Sequence, residues 1–178
     1  MHAVKILAAL SLHVCFSITA HAEPADFLTR FAAVGNQEKA AYCGIAIGAK
    51  LSDMMNAATQ RGGLSVAAAE SAWEEIDMYE MRGLVLYRLL HLQGEASAVA
   101  AEKAATEAYI ETELANQAKA REQQQTVADL CAVDGFNAIV AKVPTVKLME
   151  AGFRDALKHD RAEAKADFIR QATVPYHD

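Results

Sequence analysis

Two long segments of this chain repeat their apolar residues with the period of an α-helix, and this repetition limits the folds open to it. Segments 36–60 and 65–92 each gather apolar side chains on one face when projected at about 100° per residue. Gly62 separates them, Ser65 is a natural N-cap for the second, and Gly94 follows its end. Strand punctuation is nearly absent. The pattern predicts an all-α fold.

Shorter helical segments occupy the rest of the chain. The predicted elements are helices over 24–34, 36–60, 65–92 and 95–122, short helices over 126–134 and 136–143, one helix over 145–171, and a loose tail over 173–178. Together they predict a single helical domain over 23–178. We expect an irregular bundle of about five to six helices.

Segment 95–122 is rich in alanine and has only a narrow stripe of larger apolar residues. Two arrangements are open to it: the helix packs thinly against the bundle, or it projects as a coiled-coil arm. Its heptad positions are too weakly apolar for several coiled-coil repeats, which favours packing. The stripe changes phase after residues 121–125, so we expect a break there.

The two long segments raise different packing questions. In 36–60 the apolar stripe includes Gly44 and Gly48, so we expect another helix backbone to approach closely there. In 65–92 a second apolar side accompanies the main face. This second side is formed by Met78, Met81, Val85, Leu89 and Leu92. A helix with two apolar sides is either central in its own bundle, which we favour, or offers a face to a partner.

The first 22 residues have the pattern of a secretory signal peptide. Lys5 supplies a positive start, residues 6–18 are mostly apolar, and residues 20–22 match the small-x-small cleavage pattern. We therefore expect cleavage between Ala22 and Glu23 and a periplasmic or secreted protein. The apolar run is shorter than the about 20 residues of a membrane span, which argues against an uncleaved anchor. No transmembrane segment is expected after cleavage.

Cleavage leaves two cysteines, Cys43 and Cys131. In an oxidising compartment we expect them to form a disulfide that closes a long loop. The alternative is two separate buried thiols, which exported proteins seldom keep. Neither cysteine has a histidine at ligand spacing, so a structural zinc site is excluded.

Several kinds of active site are excluded because their residues are missing. The chain has no Gly-x-Ser-x-Gly elbow, no phosphate-binding glycine loop, no His-Glu-x-x-His and no Cys-x-x-Cys-His. A formal net charge of −6 with dispersed lysines and arginines provides no basic surface for nucleic acid. We predict no catalytic residue, no metal site, no cofactor and no nucleic-acid partner.

Three residues of the second long segment are candidates for ligand binding: Trp73, Glu80 and His91. Glu80 projects into the apolar face, where we favour an ion pair with an arginine of a neighbouring helix over a catalytic acid. His91 lies at the helix end, where we favour a hydrogen bond to a carbonyl or carboxylate over a ligand. A cavity beside Gly44, Gly48, Trp73 and His91 is the alternative.

The sequence therefore favours a non-enzymatic exported module that binds an unknown protein or envelope component. The two apolar sides of segment 65–92 and the missing catalytic groups support this hypothesis. A helical bundle that binds a small molecule or a metal is the alternative, and an enzyme is the third possibility.

Overall fold

The structure, a computed structural model, describes residues 25–92, 94–141 and 145–175. Within these ranges the chain forms helices and no strand, which confirms the all-α prediction. The predicted signal peptide, its cleavage site and residues 176–178 of the predicted tail lie outside the described residues.

The described part contains eight α-helices and one π-helical segment, more than predicted. They are α1 (Phe27–Ala33), α2 (Asn36–Arg61), α3 (Val66–His91), α4 (Glu95–Ala115), α5 (Gln117–Asp129), the π segment (Leu130–Asp134), α6 (Phe136–Val140), α7 (Val146–Ala156) and α8 (Lys158–Thr173).

The break between α2 and α3 has the glycines and the serine N-cap that the sequence predicts. Gly62 and Gly63 have φ values of 55° and 67°, a region that favours glycine. The Ser65 side chain accepts a hydrogen bond from the N–H of Ala68 at 3.2 Å, as an N-cap does. The two long helices therefore begin and end close to where the sequence places them.

The prediction of one helix over 95–122 is wrong. Asn116 is extended, with φ −162° and ψ 102°, and its side chain accepts from the N–H of Lys119 at 3.0 Å to cap α5. Helix α5 then runs through 121–125, where a break was predicted. The favoured packing of this segment against the bundle, rather than a projecting coiled-coil arm, is confirmed for α4, which packs against α1, α2 and α5.

The prediction of one helix over 145–171 is wrong as well. Leu157 leaves the helical conformation, with φ −99° and ψ 4°, and separates α7 from α8. On either side of this residue, α7 and α8 each pack against α3. Amphipathic phase alone could not locate the break, because the apolar residues remain in register on both sides.

Helices α2 and α3 form the centre of the bundle, and the other helices pack around them. The expected close approach at Gly44 and Gly48 is wrong: both are exposed, and a Cβ at either would meet no atom within 4 Å. The close approach occurs at Gly83 instead, where a Cβ would lie 3.3 Å from Ile47 Cγ2. The buried side of α2 is therefore rotated from the predicted stripe.

The predicted disulfide is present. Cys43 on α2 and Cys131 on the π segment are bonded, with a Cα–Cα distance of 5.6 Å and a sequence separation of 88. Both cysteines are fully buried. The π segment ends at Gly135, whose N–H donates to the Leu130 carbonyl at 2.7 Å. A Cβ at Gly135 would lie 2.5 Å from that oxygen, so only glycine fits.

The described side chains bury two hydrophobic clusters. The larger surrounds the disulfide and takes residues from α1 to α6. The smaller lies where α8 packs on the α2–α3 pair. Its members are Ala58, Ala69, Trp73, Ile76, Phe168 and Ala172. Leu51 and Met54 contact both clusters.

Candidate functional site

The predicted ligand residues do not form one site. Trp73 and His91 lie on the same helix, 18 positions apart, and a rise of 1.5 Å per residue separates them by about 27 Å. The predicted cavity beside these two residues, Gly44 and Gly48 is therefore wrong. Trp73 and Glu80 share one region of the bundle, and His91 lies at its opposite end.

The second apolar side of α3 is mostly core. Met81, Val85 and Leu89 are 1%, 0% and 7% exposed, and Met78 is half-buried. Only Leu92, after the last turn, is exposed. The structure thus gives α3 the central position favoured above, with Met81, Val85 and Leu89 of the predicted partner face buried in the core of the chain itself.

The Trp73 end of the bundle contains an open groove of about 390 Å³ between α2, α3 and α8. Its walls are mostly apolar, and three polar residues lie along them. The lining residues are Leu51, Met55, Trp73, Ile76, Glu80, Ala164, Asp167, Phe168 and Gln171. We call this the three-helix groove. Its size lies within the range of small-molecule sites and of pockets that receive one anchor side chain.

Two packed aromatic rings form the floor of the three-helix groove. Trp73 and Phe168 lie 5.6 Å apart between ring centroids, with an interplanar angle of 45°. Both are nearly buried, whereas Met55 on the α2 wall is 36% exposed. The floor is therefore covered by its own chain over most of its surface, whereas the wall is accessible to a ligand.

An ion-pair network beside the groove attaches the α7–α8 arm to α3. Arg161 Nη1 lies 2.6 Å from Glu80 Oε2, and its Nη2 pairs with Asp77. Arg154 Nη1 lies 3.2 Å from the other oxygen of Asp77. The predicted pair between Glu80 and an arginine of a neighbouring helix is confirmed.

Arg161 is the centre of this network. Burial opposes its charge, but the hydrogen bonds and charges of Asp77 and Glu80 outweigh burial and raise the pKa of Arg161 above its ordinary value. Its side chain is 13% exposed, whereas that of Glu80 is 45% exposed. Glu80 is thus held in an ion pair at the edge of the groove.

The polar contacts of His91 lie at the other end of α3. Its Nδ1 is 3.0 Å from Glu95 Oε2, and its ring centroid lies 4.4 Å from that of Tyr87, with the two rings tilted by 46°. Its Nε2 is buried without a hydrogen bond, 3.9 Å from Glu102 Oε1. The contact with a carboxylate agrees with the favoured interpretation. The spacing of four residues between His91 and Glu95 was a signal in the sequence for this pair.

Sequence analysis missed a polar cluster at the start of α1. Thr112 and Gln123, both buried, accept hydrogen bonds from the N–H groups of Phe27 and Leu28 at 2.8 and 3.1 Å. Asp26 caps the same helix and pairs with Lys119 at 2.8 Å. Hydrogen bonds from Lys119, Gln123 and the start of α1 hold the pKa of Asp26 well below its usual range.

A second polar cluster lies near the disulfide. The hydroxyl of buried Tyr79 donates to Asp129, whose Oδ1 lies 3.5 Å from Lys50 Nζ. Burial and the hydrogen bond to Asp129 raise the pKa of Tyr79 well above its ordinary value. The phenol therefore stays protonated and serves as a donor within the core.

Comparisons with protein families, with curated protein sequences and with solved structures give no match to this chain. No helix among the described residues has the length and apolar character needed to span a bilayer. Over the same residues, no three His, Cys, Asp or Glu side chains are grouped as a metal site would need. The three-helix groove is the site where an apolar floor and convergent polar groups coincide.

Proposed function

We propose that this protein is an exported, non-catalytic binding module whose three-helix groove receives a cationic amphipathic segment of a protein or envelope partner. The apolar floor of the groove beside two carboxylates is the observation that carries the proposal. Export rests on the signal pattern of residues 1–22. The mass of the exported chain tests export directly, since a mature chain should begin at Glu23.

The lining of the groove favours an apolar ligand group. Met55 is 36% exposed and lines the same groove as Trp73 and Phe168, so covering it removes apolar surface from water. Each Å² of such surface contributes about 25 cal/mol to binding before the costs of association are subtracted. An apolar side chain inserted here gains that burial without any rearrangement of the core.

The polar lining favours a positive charge on the same ligand. Among the residues that the structure describes, those lining the groove include the polar Glu80, Asp167 and Gln171 but no lysine or arginine. The chain as a whole has a formal net charge of −6. A lysine or arginine next to an apolar anchor would therefore meet carboxylates at the groove edge.

The ion pairs support binding rather than catalysis. Glu80 pairs with Arg161 at 2.6 Å, and Asp167 pairs with Arg170 at 2.8 Å. Because each carboxylate already holds an arginine, neither is placed as an unpaired acid or base beside a bound ligand.

Trp73 supplies a direct test, because it is the only tryptophan of the chain. The probe is a synthetic amphipathic leucine–lysine peptide titrated into the protein while tryptophan emission is recorded. We expect a saturable change in emission with the lysine peptide and a much weaker one with its leucine–glutamate counterpart. No change with either peptide would exclude the proposed binding.

Two matched variants locate the binding. Met55→Lys replaces apolar surface by a positive charge in the groove at a partly exposed position and should weaken binding of the lysine peptide about tenfold or more, which corresponds to about 1.4 kcal/mol. Leu148→Lys changes a residue that is 73% exposed on α7, outside the groove, and should bind like the unmodified protein. Equal binding by all three proteins would place the peptide elsewhere.

A small apolar molecule is the second candidate, favoured by the groove volume of about 390 Å³. Dodecyltrimethylammonium below its micelle concentration is a suitable probe, because it joins an alkyl chain to a permanent positive charge. Saturation by this amphiphile without saturation by the peptide would favour the small-molecule function. Native mass spectrometry of protein from the exported fraction would show a retained ligand.

A further inference from the structure

We propose that the outer face of α4 pairs with the same face of a second copy of this chain, with the two helices antiparallel around a twofold axis. The outer face of α4 consists of exposed residues that share one side of the helix. They are Ala96, Val99, Ala100, Lys103, Glu107, Ile110 and Leu114.

Helix α4 has the opposite arrangement to an ordinary surface helix. Its buried side is made of small residues: Ala98, Ala105 and Ala108 are fully buried. Its larger aliphatic residues point outward instead, with Val99, Ile110 and Leu114 52%, 45% and 83% exposed. A surface helix normally buries its larger apolar residues. The reversal indicates that another surface covers the outer face.

Charge complementarity identifies the occupant as a second copy. If the twofold axis passes level with residue 105, Lys103 of one copy lies level with Glu107 of the other, and the pairing occurs twice. Both side chains are largely exposed, 74% and 57%, and their contact within one helix is long, at 3.8 Å. Each can therefore reach across to the copy. A parallel pair would place Lys103 beside Lys103 and is disfavoured.

The side-chain sizes agree with the same axis. In the antiparallel pair Ala96 lies level with Leu114 of the copy, and Ala100 lies level with Ile110 of the copy. A large residue next to a small one lets two helices approach closely. The neighbouring Glu111 is paired with Arg30 of its own chain, so its charge is compensated at the edge of the interface.

The expected dimer is weak. Helix α4 has 21 residues and is about 31 Å long, and one helix pair of that length lies at the small end of specific interfaces. Sedimentation velocity from about 10 μM to about 1 mM therefore covers the range in which association should occur. A shift from monomer to dimer supports the proposal, and a monomer at every concentration overturns it.

A charge series shows whether α4 forms the interface. Lys103→Glu places two glutamates opposite each other and should weaken dimerisation about tenfold, and Glu107→Lys should do the same with lysines. The double variant Lys103→Glu/Glu107→Lys restores opposite charges and should return the dimer to within about twofold of the original affinity. A double variant no better than the singles overturns the proposed register.

A matched pair of variants tests the apolar part of the proposed α4 interface. Leu114→Asp should abolish dimerisation, whereas Leu148→Asp, at a residue 73% exposed on α7, should leave it unchanged. Both residues are exposed in a single chain, so neither substitution should unfold it, and circular dichroism checks this. Equal loss of dimer in both variants overturns the assignment to α4. Because the three-helix groove does not involve α4, peptide binding and dimerisation can fail separately.

Discussion

Three backbone N–H groups at the start of α1 find acceptors on side chains from three parts of the chain. Thr112 accepts from Phe27, Gln123 from Leu28, and Asp26 from Thr29 at 3.0 Å. The first N–H groups of a helix have no partner within it, and leaving them unpaired in the core would be costly. This explains why α4 and α5 bury a threonine and a glutamine at the place where α1 docks.

Asp26 gives the residue-scale prediction. Asp26→Ala removes the cap and should lower the free energy of unfolding by about 1 kcal/mol at neutral pH. Asp26→Asn keeps a capping oxygen but loses the charge, so its deficit should be smaller. Urea unfolding of both variants and the unmodified protein measures these differences.

The pH dependence separates charge from capping. Because the pKa of Asp26 is lowered in the folded chain, its charge stabilises the protein above the ordinary carboxyl pKa of about 4, and this contribution declines as the pH falls towards the lowered value. The deficit of Asp26→Asn should therefore shrink below about pH 4, while Asp26→Ala keeps part of its deficit. A constant deficit for Asp26→Asn over this range contradicts the assigned role of the charge.

At the scale of elements, Arg161 provides an ionic attachment of the α7–α8 arm to α3, beside the apolar packing of α8 on the same helix. This side chain joins α8 to both Asp77 and Glu80, and the same helix positions Phe168 against Trp73. The attachment and the floor of the three-helix groove therefore depend on each other.

Arg161→Met should lower the free energy of unfolding by about 1–2 kcal/mol, because it leaves two carboxylates of α3 without their shared partner. Emission from Trp73 should shift to the red as α8 loosens. Arg170→Met is the control, since Arg170 is 70% exposed and, within the described ranges, pairs with Asp167 of its own helix; its effect should stay within about 0.5 kcal/mol. Equal effects in the two variants would show that the network contributes nothing specific.

The sequence predicted the elements whose ends are set by local chemistry. Ser65 and the glycines at 62 and 63 defined the break between the long helices, and the placement of Glu80 on an apolar face predicted its arginine partner. Asn116 is also a strong N-cap residue and could have predicted the start of α5. It was missed because the alanine-rich sequence around it favours a continuous helix.

The features that the sequence did not predict depend on packing between segments that are distant in the chain. The turn at Leu157 follows from how α7 and α8 each contact α3, and the rotation of α2 follows from which helices surround it. The groove was missed for the same reason: Trp73 was a candidate, but Phe168 and Met55 join it only through the tertiary fold. One-dimensional periodicity carries no information about such contacts.

For the whole molecule, the disulfide and the groove belong to different hydrophobic clusters. The larger cluster surrounds Cys43 and Cys131, and the smaller one is completed by α8. Few buried residues attach α8, so we expect it to open locally at a lower free energy than global unfolding. The three-helix groove, at the less stable end of the bundle, can therefore adjust to a partner while the larger cluster around the disulfide stays folded.

Replacing both cysteines by alanine should lower the free energy of global unfolding without changing the free energy of local opening of α8. The disulfide spans 88 residues, so its loss should lower the free energy of global unfolding by about 4–5 kcal/mol in the chain-entropy model. Amide exchange in α8 should hardly change, because local opening does not involve the cross-link. Native-state hydrogen exchange, read for α2 and α8 in both proteins, measures the two effects together. Equal acceleration in α2 and α8 would mean that the bundle unfolds as one unit, and α8 would then lose the local freedom on which an adaptable groove depends.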